Sequence, residues 1–366
     1  MPARTLIAVA AIAAFAAVSA SAADTSAWPN YREDDFAVKN YAFKSGESLP
    51  EVKIHYRSLG TPKKDASGAI VNGVLLLQGN TGTGANWLRP SLAEELFKPG
   101  QPLDASQYFI IMPDALGRGG SSKPSDGLRG KFPHYRYHDM VDLQHRLVAD
   151  GLGIKHLRLV LGSSLGCMHS WMWAEQYPDM MDGVVGLSCQ PIEISGRNRI
   201  SRKGAAETIR HDPDYKDGNY DTPPSHWIYS AAASSVFTES PRVIQEQAPT
   251  RAAADALYEK RLENLQKRDA NDALYAIESI EDYSPEADLD KITAKAMLIN
   301  DSEDFADPPT LGTVERAMQK IKNGRYVLIP PGPNTHGHFT HYYAAVWKPH
   351  LVELLTSLGP MNAAAK

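Results

Sequence analysis

The chain has 366 residues, 43% of them hydrophobic and 22% charged, with 38 Lys+Arg against 43 Asp+Glu for a net charge of −5. Such a composition excludes disordered and collagen-like chains and leaves no global basic field for non-specific nucleic-acid binding. Two cysteines in this length exclude a disulfide scaffold, so stability must come from a large apolar core.

The first segment reads as an export signal. Arg4 gives a positive start, Leu6 to Val18 is uninterrupted and apolar, and Ala20-Ser21-Ala22 is a small-x-small cleavage pattern. The apolar stretch is shorter than the roughly 20 residues a membrane span needs. Residues 1–22 are therefore expected to be removed, and the mature protein, starting near Ala23, is expected in a periplasm or outside the cell. No later stretch looks membrane-spanning. In that setting Cys167 and Cys189 meet oxidising conditions. They either pair or remain two buried thiols; their spacing does not decide.

Short apolar runs then alternate with helical patterns. Glu51 to Leu59 alternates polar with apolar and reads as an antiparallel, half-exposed edge strand. Val74 to Leu77, Tyr108 to Met112, Leu157 to Leu161, Gly183 to Leu187, Ala296 to Ile299 and Tyr326 to Ile329 lack alternation, as strands covered on both faces do. Helices are predicted over Asp139 to Leu152, stopped by Gly153, over Met168 to Tyr177, ahead of Pro178, and over Thr313 to Ile321. Alternating strand and helix specifies an α/β fold with a mostly parallel sheet flanked by helices. Residues 191–292 show only polar helical stretches such as Arg251 to Ile280. A hundred residues is too long for a structureless loop, so this segment is expected to be a helical cap inserted between core segments 23–190 and 293–366.

The strand ending at Leu161 runs into Gly162-Ser163-Ser164-Leu165-Gly166, and a helical pattern follows at once. This is G-x-S-x-G in its strand–turn–helix setting, with Ser164 raised on a strained turn. A serine needs a base, and the base an orienting acid; in this fold they follow in the order serine, acid, histidine. Asn300 to Pro309 crowds acidic side chains at a strand's C-terminal end, where α/β folds place their sites. Asp304 is the favoured acid, Asp301 the main rival, and Asp307 reads as a helix N-cap. After the last strand, His338 is the favoured base and His336 the second choice. His336, His338 and His341 have no carboxylate or cysteine spacing that matches a metal site, so neither metal nor cofactor is expected. The oxyanion requires two N–H donors. Leu165, directly after the nucleophile, and Asn80, in the loop Gln78 to Gly84, are the candidates. That loop lacks the lysine and spacing of a nucleotide-binding P-loop.

These motifs resemble the α/β-hydrolases of the homoserine O-acetyltransferase-like group, from about Tyr31 to Leu358. The likeness includes Met112-Pro113-Asp114-Ala115-Leu116-Gly117, Gly120-Ser121-Ser122, Tyr177-Pro178-Asp179, and Asp212-Pro213 through Gly218-Asn219-Tyr220. The resemblance implies an α/β-hydrolase fold and a triad on Ser164, Asp304 and His338. Two departures bear on substrate. The group's transferases hold homoserine with a cap arginine where this chain has Ala206, and carry an aspartate where it has Phe339. Losing both replaces polar recognition with apolar surface. Acetyl-CoA, a cytoplasmic metabolite, would also be scarce after export. The expected activity is hydrolysis of a carboxylic ester, amide or thioester through an acyl-serine, acting on a small acyl substrate. Acyl transfer to an alcohol or amine is the first alternative and a non-catalytic binding protein the second. Trp227, Tyr229, Phe237, Trp87 and Phe339 are candidate pocket groups.

Overall fold

The computed structural model describes residues 28–361, so the expected export signal lies outside the described residues. Eight strands form one sheet: β1 (Arg32–Ala42), β2 (Ser48–Leu59), β3 (Gly73–Leu77), β4 (Phe109–Pro113), β5 (Leu157–Ser163), β6 (Met181–Leu187), β7 (Lys295–Asp301) and β8 (Gly324–Ile329). Their spatial order is β1-β2-β4-β3-β5-β6-β7-β8. β1 and β2 pair antiparallel, as do β2 and β4, and every other pairing is parallel.

Two sequence expectations need correction. β2 is antiparallel, as its alternation implies, but it is not the edge, because β1 pairs along its outer side. β1, with the sequence REDDFAVKNYA, is mostly exposed, and so many charges hide a strand from a hydrophobicity reading. β8 is the opposite edge, and Leu328 on it is 40% exposed. A run of apolar residues there did not mean cover on both faces.

Five helices flank the sheet: α1 (Pro90–Leu96), α2 (Tyr137–Arg146), α3 (Leu165–Gln176), α9 (Thr313–Met318) and α10 (Ala344–Ser357). Leu92 and Leu96 of α1 and Trp347, Leu351 and Leu354 of α10 bury one face of the sheet. Met140 and Leu143 of α2, Met168 and Trp171 of α3, and Val314 and Met318 of α9 bury the other. α2 continues through a π-helical turn, Leu147–Gly151, into the predicted stop at Gly153. α3 begins three residues earlier than its apolar pattern suggested, directly after Ser164.

Between β6 and β7 the described residues contain no strand. Here lie α4 (Gly196–Arg210), α5 (Trp227–Ser234), α6 (Pro241–Gln247), α7 (Arg251–Leu265) and α8 (Ala270–Glu278). Ile209, Tyr215, Trp227, Ile228, Leu262 and Leu274 close a small apolar core of their own. This helical layer covers the C-terminal ends of the strands. Among the described residues no helix is long and apolar enough to cross a membrane.

Candidate active site

The site grows from the sharp turn between β5 and α3. Ser164 has φ 52° and ψ −114°, a backbone region that a side chain occupies only under strain. Tertiary contacts hold it there. The Ser164 N–H donates to the Leu187 carbonyl at the end of β6 (2.8 Å), and the Gly166 N–H donates to the Gln78 carbonyl (3.0 Å). The flanking glycines are steric requirements. A Cβ on Gly162 would stand 1.9 Å from the Gly166 carbonyl oxygen, and one on Gly166 would stand 2.1 Å from that of Leu77.

The acid and the imidazole arrive from the ends of β7 and β8. His338 Nε2 lies 2.9 Å from Ser164 Oγ, and its Nδ1 lies 2.8 Å from Asp304 Oδ2. Asp304 is buried, and its Oδ1 accepts the N–H groups of Ala306 (2.9 Å) and Asp307 (3.1 Å). Burial disfavours the imidazolium of His338. The charge and hydrogen bond of Asp304, joined by the charge of Asp307, outweigh it and raise the His338 pKa above its ordinary value. Ser164, Asp304 and His338 therefore form one continuous hydrogen-bonded chain, in the arrangement inferred from chain order.

The runner-up residues have other positions. Asp301 is buried and accepts the Thr340 hydroxyl; Thr340 Oγ1 in turn accepts the His336 N–H at 2.7 Å. Asp301 thus anchors the histidine loop instead of contacting the imidazole. The His336 ring stacks on Tyr343 with centroids 3.8 Å apart. Gly337, at φ 62°, packs so closely that a Cβ would meet the backbone of Ser240 at 2.8 Å and of Glu303 at 2.9 Å. The loop holding His338 is clamped between cap and acid loop.

Asp307 is not a helix N-cap. It is buried with Oδ2 3.6 Å from His338 Nδ1, and it accepts from Gln190 Nε2 at 3.2 Å. Burial first, then the charge of Asp304, pushes its pKa up to about 7. Sequence reasoning missed this second carboxylate because no local pattern marks a side chain that folds back on a residue 31 positions later. Asp304, Asp307 and His338 offer ligand atoms within 4.8 Å of one another. Both His338 nitrogens are already engaged by Ser164 and Asp304.

The candidate oxyanion residues lie beside the nucleophile, and Asn80 lines the same cavity as Ser164. The Leu165 N–H opens α3 and so has no intrahelical acceptor. Gly79, beside Asn80, is close enough that its Cβ would stand 3.4 Å from that of Ser164. Asp114, which is fully buried, ties this loop to the one after β4: it accepts Gly84 N–H (2.7 Å) and Gly120 N–H (2.9 Å), and pairs with Arg57 at 2.8 Å. Arg118, in the second loop, donates to the Asn80 side chain.

A cavity of about 780 Å³ opens above Ser164 and His338, roofed by the cap helices. Phe339, Phe237 and Trp227 line it. The Trp227 indole also packs in the cap core and donates to the Pro224 carbonyl at 3.1 Å. Trp87 does not reach the cavity; it is buried beneath the sheet with Leu88, Leu92 and Val74, a core position that its aromatic character does not reveal. Tyr229 is 52% exposed and off the cavity wall. Ala206 is buried in the cap core, whereas Arg202, one helical turn earlier, lines the cavity.

Cys167 on α3 and Cys189 after β6 form a disulfide with Cα atoms 6.0 Å apart, which decides between the alternatives that spacing left open.

A strained serine on a strand-to-helix turn, with acid and histidine supplied in that order by later strands, defines an α/β-hydrolase site. The chain belongs to the alpha/beta hydrolase fold family, which matches residues 72–345. It is 27% identical over 295 residues to a probable acyltransferase of Methanothermobacter thermautotrophicus, covering 80% of this chain and 89% of that one. It is 28% identical over 306 residues to homoserine O-acetyltransferase of Haemophilus influenzae, covering 78% of each. Among solved structures, homoserine O-acetyltransferase from Bacillus anthracis superposes with a TM-score of 0.77 at 20% identity, over 92% of this chain and 99% of that one. An acetylester hydrolase from Corynebacterium glutamicum gives 0.76 at 20% identity, over 89% and 96%. The protein resembles the homoserine O-acetyltransferase-like group and is an enzyme of the esterase or acyltransferase kind.

Proposed function

We propose that this protein is an exported serine hydrolase that cleaves a carboxylic ester through an acyl-serine intermediate. The observation that carries the reading is the unbroken contact from Asp304 through His338 to Ser164, at 2.8 and 2.9 Å, at the floor of the cavity. His338 Nε2 takes the Ser164 proton as Oγ attacks the carbonyl carbon. Asp304 holds Nδ1 protonated and balances the imidazolium. The N–H groups of Leu165 and Asn80 receive the oxyanion. His338 then protonates the leaving alcohol, and next takes a proton from the water that releases the acid.

Export is supported by the Arg4, Leu6 to Val18 and Ala20-Ser21-Ala22 pattern and by the Cys167–Cys189 disulfide, which favours an oxidising compartment. The acyltransferase names of the relatives support a second reading, transfer of the acyl group to an alcohol or amine. It uses the same triad and differs in whether acceptor or water reaches the acyl-serine. Fluorophosphonate labelling that disappears in Ser164→Ala, with hydrolysis of 4-nitrophenyl esters by the wild type, is the expected result. No labelling would overturn the serine-nucleophile reading, and an acyl product that forms only when an acceptor is added would favour transfer.

A further inference from the structure

The cavity wall is cationic. Seven Lys and Arg residues line it against three Asp. Two of the cations are paired, Lys123 with Asp126 at 2.6 Å and Arg261 with Glu239 at 2.6 Å. Among the described residues, Arg118, Arg197, Arg202, Lys267 and Arg268 have no carboxylate within 4.0 Å. The aspartates have nearer partners, although Asp272 also attracts Arg118 and Asp307 attracts Arg202 from a distance. Asp269 accepts the Tyr220 hydroxyl at 2.6 Å and caps α8; Asp272 accepts the Ser125 N–H at 2.9 Å and hydroxyl at 2.7 Å; Asp307 faces His338.

Solvated arginines on a convex surface need no ligand. Three of these differ because they share one concave wall with the nucleophile and feel each other's charge. Arg118 comes from the loop after β4, Arg202 from α4 and Arg268 from the turn before α8. Arg118 is tied to Asn80 through one guanidinium nitrogen, while its Nε is buried without an acceptor among the described residues. Arg202 makes only a neutral bond, to Asn198 at 2.8 Å. Burial lowers the Arg118 pKa against the pull of Tyr135, Tyr137 and Asp272, with the Arg202 charge adding a smaller push; burial, then Arg118, lowers that of Arg268. Guanidinium groups desolvated on one cavity wall without a paired carboxylate are held at a cost that an anion bound there would offset, and the planar fork suits carboxylate or phosphate oxygens.

We propose that Arg118, Arg202 and Arg268 form an anion-binding pole in the substrate cavity, so that the physiological substrate is an ester carrying a carboxylate or phosphate group. This rests on the ester-hydrolase reading and narrows its substrate class. It also revises the sequence-based expectation of apolar recognition: Ala206 and Phe339 do remove polar groups, but arginines at other positions replace them.

The test compares matched esters. 4-Nitrophenyl hemisuccinate against 4-nitrophenyl butyrate places the charge on the acyl side. 4-Acetoxybenzoate and 4-acetoxyphenyl phosphate against 4-acetoxybenzamide place it on the leaving group. At least one anionic ester is expected to exceed its neutral partner in kcat/KM by about tenfold or more in the wild type, and Arg202→Gln and Arg268→Gln should each shrink that ratio severalfold with no fall in melting temperature. Hydrolysis with no anionic preference in any pair, or a preference the variants leave intact, would overturn the pole and leave the hydrolase reading standing. If no ester is turned over, that reading fails. Calorimetric titration with succinate and inorganic phosphate then decides the pole separately: binding weakened in Arg202→Gln supports it, and no binding refutes it.

Discussion

The disulfide links the nucleophile helix to the start of the cap, and its contribution can be worked from position alone. Cys167 lies three residues beyond Ser164, and Cys189 lies two beyond Leu187, whose carbonyl accepts the Ser164 N–H. Both sulfurs are fully buried, with a sequence separation of 22. Closing a loop of that length removes roughly 11 cal/mol/K of unfolded-chain entropy, about 3.4 kcal/mol at 25 °C. A domain of about 330 residues has an unfolding entropy of roughly 0.7 kcal/mol/K, so reduction should lower Tm by roughly 5 °C. Reduction is a cleaner perturbation than Cys→Ala, because the two thiols keep their volume and leave little cavity. Calorimetry with and without a phosphine reductant, beside thiol counting in unfolded protein, gives the measurement. Turnover at 25 °C should stay close to that of the oxidised protein, since the backbone bonds of the Ser164 turn persist. Two thiols titrating before any reductant is added, or coincident melting curves, would refute the reasoning.

Three further outcomes are expected. Ser164→Ala and His338→Ala should each lose at least roughly a thousandfold in kcat with unchanged melting, while His336→Ala, whose ring stacks on Tyr343, retains turnover; a fast His338→Ala enzyme would dismiss the assigned base. Asp307→Asn removes a carboxylate that favours the His338 imidazolium, so the imidazole loses its proton more readily and the acid limb of the kcat/KM profile moves to lower pH; an unmoved or raised limb contradicts that coupling. Gly166→Ala sets a Cβ 2.1 Å from the Leu77 carbonyl oxygen, so denaturant unfolding should show a loss of about 3 kcal/mol or more, and a wild-type midpoint would show that the turn relaxes instead.

Much of the fold was legible because it depends on short-range patterns. Unalternating apolar runs marked β3 through β7, and the inward-facing helix faces were readable from spacing. β1 was invisible because its charges project into solvent and its pairing depends on β2. The status of β8 as an edge depends on which strands find partners, which no single run of residues encodes. At the site, Gly162 and Gly166 announced the turn, since only glycine tolerates carbonyl oxygens at such distances. Trp87 and Trp227 are alike in type, yet one fills the core and the other reaches the cavity.

What the linear order determined was the chemistry available: a serine on a sharp turn, then a cluster of acids, then a cluster of histidines. Tertiary structure decided which members meet. Ser164 and His338 are 174 positions apart and touch only because parallel strands bring their C-terminal ends to one rim. There Asp304 takes the imidazole, Asp301 takes Thr340, and Asp307 becomes a buried second charge. The arginines facing them come from a loop and two cap segments. Backbone propensity acts over a few residues, whereas electrostatic contact is set by distance in space, so the charge of the cavity wall emerged only when the cap closed over the sheet.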